Sequence, residues 1–188
     1  MPDRRLILSA LLVAATLPGT AQAQDFLSRA EIEGHMRESV FCYYPDDRFA
    51  CAWAELYTAL NDDHAVLQSA SAVWDAPMSV LEFRVEWDGN ALCIDEATQG
   101  LLSAREAEGY RFPFSLAGLE LLPAEELPAL VEEFRAGSPG LSCFRYSADA
   151  ANPGQLLQHV FRDGVGQPDL DPVALIPLVA GGVAINPS

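Results

Sequence analysis

The sequence contains no lysine, so arginine supplies all of its basic side-chain charge. This absence excludes chemistry that depends on a lysine amine, such as Schiff-base formation or phosphate binding by the lysine of a phosphate-binding loop. Positive charge is scarce altogether, with 11 basic residues against 27 acidic ones and a net charge of -16. Because Lys and Arg provide most of the affinity for nucleic acids and anionic lipids, we expect neither as a partner. A cationic partner would be attracted, although the charge can also serve solubility alone.

The sequence also lacks the short motifs that mark common catalytic and cofactor sites. It has no Gly-x-Ser-x-Gly nucleophile elbow, zinc-protease pattern, phosphate-binding loop, dinucleotide fingerprint or calcium loop. The segment 137–140 resembles a serine motif, but a helix end followed by a turn explains it better. His35, His64 and His159 share no ligand spacing, and no two cysteines are spaced as in a zinc site. We therefore expect no metal and no other cofactor.

The amino-terminal segment has the features of a cleavable signal peptide. Two arginines precede an apolar run over residues 6–17, and the small-residue pattern 21–23 follows it. An apolar core helix is the alternative, but such a helix needs neither the basic flank nor the small-residue exit. The run is shorter than the roughly 20 residues of a transmembrane helix. We predict a signal peptide over residues 1–23 and a single globular exported domain over 24–188, periplasmic or secreted, without a transmembrane segment.

Four cysteines remain in the predicted exported domain, at Cys42, Cys51, Cys93 and Cys143. An even number in an oxidising compartment favours two disulfides, for which three connectivities exist. Cys42 and Cys51 flank a short turn-rich segment, so we favour a bond between them, which leaves Cys93 to pair with Cys143. Loop entropy assigns about 2.7 kcal/mol to the short loop and about 4 kcal/mol to the long one.

Three segments are predicted to be helical. Ser28 and Glu31 form a capping box, which predicts a helix from about Arg29 to Ser39. The other two segments have helix-forming composition, end at a glycine, and cover residues 98–108 and 127–136.

Alternating side chains predict strands and hairpins in the rest of the chain. The clearest strand covers residues 78–87, and the turn 88–90 returns the chain into a second strand over 91–94. We favour a second hairpin from residues 142–147 and 155–162, although Asn152 and Pro153 could instead cap a short helix.

The region after Cys51 is ambiguous on local grounds. Trp53, Glu55 and Tyr57 alternate with smaller side chains, which favours a strand, whereas three alanines in six residues favour a short helix. Helices and hairpins in mixed order predict an α+β fold, with an antiparallel sheet built from hairpins, several short helices, a single domain and two disulfides.

The segment between Cys42 and Cys51 is the strongest candidate for a binding surface. Its aromatic and charged side chains are Tyr43, Tyr44, Asp46, Asp47, Arg48 and Phe49. Rigid aromatic side chains on a constrained loop are efficient contact residues, although they could instead cover the core beside the disulfide. The leading hypothesis is a non-catalytic periplasmic binding or accessory protein whose partner is a basic envelope protein.

The rival hypothesis is a small periplasmic hydrolase whose acid and base come from distant segments. Glu55, Glu82 and His64 are its candidate contributors. Polar groups that converge in one cleft would favour this hypothesis, and a filled sheet face would count against it.

Overall fold

A computed structural model describes residues 25–72, 77–95, 100–107, 109–113, 115, 119–137 and 140–187, with the side chains of 133–137 excepted. The signal peptide predicted for residues 1–23 lies outside the described residues. No helix within these ranges is long and apolar enough to cross a membrane.

Strands make up 58% of the structure. They are β1 (Ser39–Tyr43), β2 (Trp53–Leu60), β3 (His64–Ser71), β4 (Met78–Asp88), β5 (Ala91–Asp95), β6 (Leu101–Ala107), β7 (Arg111–Pro113), β8 (Glu120–Leu121), β9 (Leu141–Ala148), β10 (Gln155–Arg162), β11 (Val165–Pro177) and β12 (Gly182–Ala184). The two α-helices of the described ranges are α1 (Arg29–Glu38) and α2 (Leu127–Gly137), and a short 3-10 helix covers Leu178–Ala180.

Eight of these strands close into an antiparallel barrel. The order around the ring is β1-β2-β3-β4-β5-β9-β10-β11, and β11 returns to β1. Most neighbours in the ring follow each other along the chain as hairpins, but the pairs β5–β9 and β11–β1 join distant segments. β6 pairs with the first half of β4, where β5 no longer covers it, and β8 adds to β6. Closure gives each of the eight strands two neighbours in the ring.

The helix α1 closes one end of the barrel, called here the α1 end. Arg29 donates hydrogen bonds to the carbonyls of Asn61 and Asp62 in the β2–β3 turn and lies over the ring of Trp87 near the end of β4. Ile32 and Met36 of the same helix are buried against the barrel interior. The opposite end, where residues 44–52 join β1 to β2, is called the loop end.

Apolar side chains fill both faces of the barrel wall. The inward set includes Phe41, Tyr57, Leu67, Val85, Leu92, Tyr146, Leu156 and Val173. The outward set includes Val40, Cys42, Ala54, Met78, Val80, Phe112, Ala174, Val183 and Ile185. Since Phe112 and Val183 come from the paired strands β7 and β12, this small sheet covers part of the outer wall.

The predicted α+β class is wrong. The structure is a mostly β barrel with two helices in its described part, rather than a sheet with several helices. The helix predicted over 98–108 is one cause, because residues 101–107 instead form β6. The free edge of β4 supplies these residues with cross-strand hydrogen bonds, and this tertiary pairing overrides their helical propensity.

Most local predictions are confirmed. Ser28 and Glu31 form the capping box at the start of α1, and α2 matches the helix predicted over 127–136. The two predicted hairpins are β4–β5 and β9–β10, and residues 53–57 lie in a strand. Both disulfides form with the favoured connectivity, Cys42 with Cys51 and Cys93 with Cys143.

Candidate functional site

Polar side chains from four strands meet inside the barrel. They are Tyr43 of β1, Glu55 and Tyr57 of β2, Tyr146 of β9 and Gln158 of β10, called here the interior polar cluster. Side chains alternate across a strand, so the inward side of β2 takes Trp53, Glu55 and Tyr57 together. A carboxyl group is thus placed between two aromatic residues on the inner wall.

Hydrogen bonds fix the orientation of this cluster. The hydroxyl of Tyr43 donates to Oε2 of Glu55 at 2.8 Å, and the hydroxyl of Tyr57 donates to the same oxygen at 3.3 Å. The amide of Gln158 donates to the hydroxyl oxygens of Tyr43 and Tyr146, each at 2.9 Å. Those two hydroxyl oxygens lie 3.1 Å apart. Because the proton of Tyr43 is directed to Glu55, Tyr146 is the donor between them.

Burial controls the protonation of the cluster. Desolvation raises the pKa of Glu55 to about 7, although the bonds from Tyr43 and Tyr57 favour the ionised form and act against this rise. The negative charge of Asp171 raises the pKa of Glu55 further. Burial likewise raises the pKa of the Tyr43 and Tyr57 hydroxyls, which therefore stay protonated and able to donate. Near neutral pH, Glu55 is therefore present in both its protonated and its ionised form.

The carboxyl group of Glu55 is desolvated, although the residue as a whole keeps some exposed surface. Glu55 is half-buried rather than fully buried. In the strand register Glu55 lies beside Ser69, and Trp53 lies beside Ser71; Ser69 is half-buried and Ser71 exposed. These small side chains lie next to Glu55 and Trp53, toward the loop end. Both hydrogen bonds to the carboxyl group use Oε2, so Oε1 accepts none from the described part of the chain.

Aromatic rings line the loop end beside these serines. The rings of Tyr43 and Trp53 are stacked, with centroids 4.6 Å apart, and Tyr44 tilts against Trp53 at 5.5 Å. The hydroxyl of Tyr44 donates to Asp171 of β11, and this bond raises the pKa of Tyr44 to about 12. Tyr44 therefore ties the disulfide-closed loop to the neighbouring strand β11.

The loop residues predicted to bind differ in their exposure to solvent. Tyr43 is buried inside the barrel, whereas Tyr44 is 44% exposed and Phe49 is 57% exposed. Asp46 supports the loop itself, since its carboxylate accepts bonds from the backbone amides of Arg48 and Ala50.

Asp47 and Arg48 lie exposed on the same loop. Tyr43 therefore points away from the other five residues, and binding by this loop stays a prediction. The exposed remainder is Tyr44, Asp46, Asp47, Arg48 and Phe49.

The residues of the hydrolase hypothesis are not brought together. Glu82 pairs with Gln68 in the strand register, on the wall face opposite to Glu55, and accepts a hydrogen bond from Ser103. His64 lies next to the β2–β3 turn at the α1 end and is bonded to Asp63. Only Glu55 of the three belongs to the interior polar cluster.

A serine–histidine pair on the outer wall was not anticipated. The Oγ of Ser147 lies 2.8 Å from Nε2 of His159, and the ring of Phe26 packs edge-on against His159. His159 is only 5% exposed, and burial lowers its pKa. A nucleophile needs access to its substrate, so this packing fits a structural pair better than a catalytic one.

Within the described ranges, no group of three or more His, Cys, Asp or Glu side chains could hold a metal ion. The fold and the interior site together define a class of protein: a closed eight-stranded antiparallel barrel with a half-buried glutamate near aromatic rings. No family model, curated protein or solved structure matches this chain.

Proposed function

We propose that this protein is a non-catalytic, exported binding protein that takes a small molecule into the loop end of its barrel. The observation that carries the proposal is the half-buried state of Glu55, an inward-facing carboxyl group with a free oxygen. Action in the periplasm or outside the cell is part of the proposal. The signal peptide predicted for residues 1–23 and the two disulfides support this location.

The dimensions of the barrel support an interior site. An eight-stranded barrel is just wide enough to be filled by side chains or to hold one small ligand. Here the half beneath α1 is filled by apolar and aromatic groups, whereas Ser69, Ser71 and Ser79 occupy inward positions toward the loop end. Small-molecule sites typically combine apolar walls with a few oriented polar groups, as Trp53 and the interior polar cluster do.

The test is native mass spectrometry of the mature protein isolated from an envelope extract of its own source. A retained small molecule of defined mass is expected. Ser69→Leu should abolish this retention, because the larger side chain would project into the proposed site beside Glu55. Thr58→Leu is the matched control, since Thr58 is an exposed residue of the neighbouring strand. Equal retention by Ser69→Leu and by the unmodified protein would contradict an interior site.

A second candidate function is docking of a basic envelope protein on the disulfide-closed loop. Phe49 is exposed there next to the acidic Asp46 and Asp47. Asp47→Ala combined with Phe49→Ala should weaken capture of a basic partner while leaving the thermal midpoint nearly unchanged. This pair spares Tyr44, whose bond to Asp171 also supports the barrel mouth. Undiminished capture by the double variant would exclude the loop as the docking surface.

A further inference from the structure

We infer that the ligand of the interior site is an organic amine, whose ammonium group pairs with Oε1 of Glu55 while its apolar part lies along Trp53 and Leu81. This inference rests on the proposed function and names the chemical class of its ligand. It follows from the charge, the unused hydrogen-bonding capacity and the apolar wall around Glu55.

Within the described part of the chain, the negative charge near Glu55 has no positive counterpart. Among the described residues neither Glu55 nor Asp171 forms an ion pair with an arginine. The groups that act on Glu55 are the neutral hydroxyls of Tyr43 and Tyr57 and the negative charge of Asp171. A partly desolvated carboxylate without a cation is costly, and a bound ammonium group would remove that cost.

The hydrogen bonding of the carboxyl group leaves one position open. Tyr43 and Tyr57 both donate to Oε2, and Oε1 accepts no hydrogen bond from the residues that the structure describes. An ammonium group supplies three donors on a compact charge, which suits a single unused carboxylate oxygen with water or Ser69 nearby. A second carboxylate or a phosphate would instead be repelled by both Glu55 and Asp171.

The inner wall over β2 to β4 near Glu55 carries apolar and aromatic side chains. Leu81 shares a register row with Ser69 and Glu55 on neighbouring strands, and it is half-buried. Trp53 lies two residues from Glu55 on the same face of β2 and is held in place by stacking on Tyr43. The compound therefore needs an apolar body attached to its amine. The net charge of -16 would attract such a cation from solution.

The experiment measures binding of benzylamine, tryptamine and hexylamine by isothermal titration calorimetry, each beside the alcohol that replaces its amine. At least one amine should bind 10-fold or more tightly than its alcohol, an estimate of about one charged hydrogen bond. Because Glu55 ionises near neutrality, while Tyr43, Tyr57 and Tyr146 stay protonated, affinity should fall about tenfold from about pH 8 to about pH 6. Glu55→Gln should remove both the preference for the amine and the pH dependence. Glu82→Gln, on the outer wall, should preserve both.

The outcomes separate this inference from the function on which it rests. If amines and alcohols bind equally and Ser69→Leu abolishes both, the interior site stands and the amine inference fails. If no amine binds in preference to its alcohol while native mass spectrometry shows a retained neutral or anionic compound, the inference fails in the same way. If no compound binds and none is retained, both the inference and the proposed function fail.

Discussion

Glu55 affects both the stability of the folded protein and its proposed function. Its carboxyl group is held by Tyr43 and Tyr57, and desolvation raises its pKa to about 7. The ordinary pKa of a glutamate is 4.5, so the folded protein binds a proton at Glu55 more tightly than the unfolded chain does. A group of this kind makes stability depend on pH in the range where the two pKa values differ.

The sign of this dependence is determined by the raised pKa. The contribution of Glu55 is fully present below about pH 4.5 and is lost as the pH rises through about 7. Relative to Glu55→Gln, we expect the free energy of unfolding to fall by roughly 2 kcal/mol between about pH 5 and about pH 8, after allowance for solvent screening. Urea denaturation at a series of pH values measures this difference.

His159 contributes in the opposite direction over part of the same range. Its pKa is lowered by burial, so its contribution is lost as the pH falls through the unfolded value. Since His159 is present in both proteins, the difference between the unmodified protein and Glu55→Gln cancels its effect. Parallel stability profiles of the two proteins would show that Glu55 does not carry a raised pKa.

At the scale of single elements, local sequence signals correctly predicted the helices and hairpins that are stabilised by contacts between residues close in the sequence. The capping box of Ser28 and Glu31 identified α1, and the turn at residues 88–90 identified the β4–β5 hairpin. Local signals failed for residues 101–107, whose helical composition is overridden by pairing with the edge of β4. That edge is free only because β5 pairs with the last residues of β4 alone. No local sequence pattern indicates where this pairing stops.

The helix cap offers a test of how firmly the α1 end is closed. Ser28→Ala removes the side chain that accepts a hydrogen bond from the backbone of Glu31, and we expect a loss of about 1 kcal/mol in the free energy of unfolding. Ser71→Ala, the same change at an exposed position at the end of β3, should alter stability by less than about 0.5 kcal/mol. Urea denaturation of both variants provides the comparison. An equal effect at the two positions would show that the cap does not stabilise α1.

At the scale of the whole molecule, closure of the barrel was not predictable from local patterns. It depends on the pairs β5–β9 and β11–β1, whose partners are far apart in the sequence. The interior polar cluster has the same origin, since Tyr43 and Gln158 meet only after closure. One sequence signal did point to it: Glu55 alternates with Trp53 and Tyr57, which places a carboxyl group on an aromatic face.

The two disulfides close chain loops of different length. Cys42–Cys51 joins residues 9 apart within the β1–β2 hairpin, whereas Cys93–Cys143 joins residues 50 apart across the β5–β9 pair. The longer loop restricts the unfolded chain more, by about 4 kcal/mol against about 2.7 kcal/mol for the shorter one. We therefore expect the bond across β5–β9 to contribute more stability.

A comparison of oxidised and reduced forms isolates these contributions. One variant, Cys42→Ala with Cys51→Ala, keeps only the bond across β5–β9, and the other, Cys93→Ala with Cys143→Ala, keeps only the hairpin bond. Because reduction removes the cross-link without removing sulfur atoms, the cavities that alanine leaves at the buried Cys42 and Cys51 cancel within each variant. Urea denaturation should show a larger loss on reduction for the first variant. A larger loss for the second would mean that the β5–β9 pair is already close in the unfolded chain, so that its cross-link restricts little.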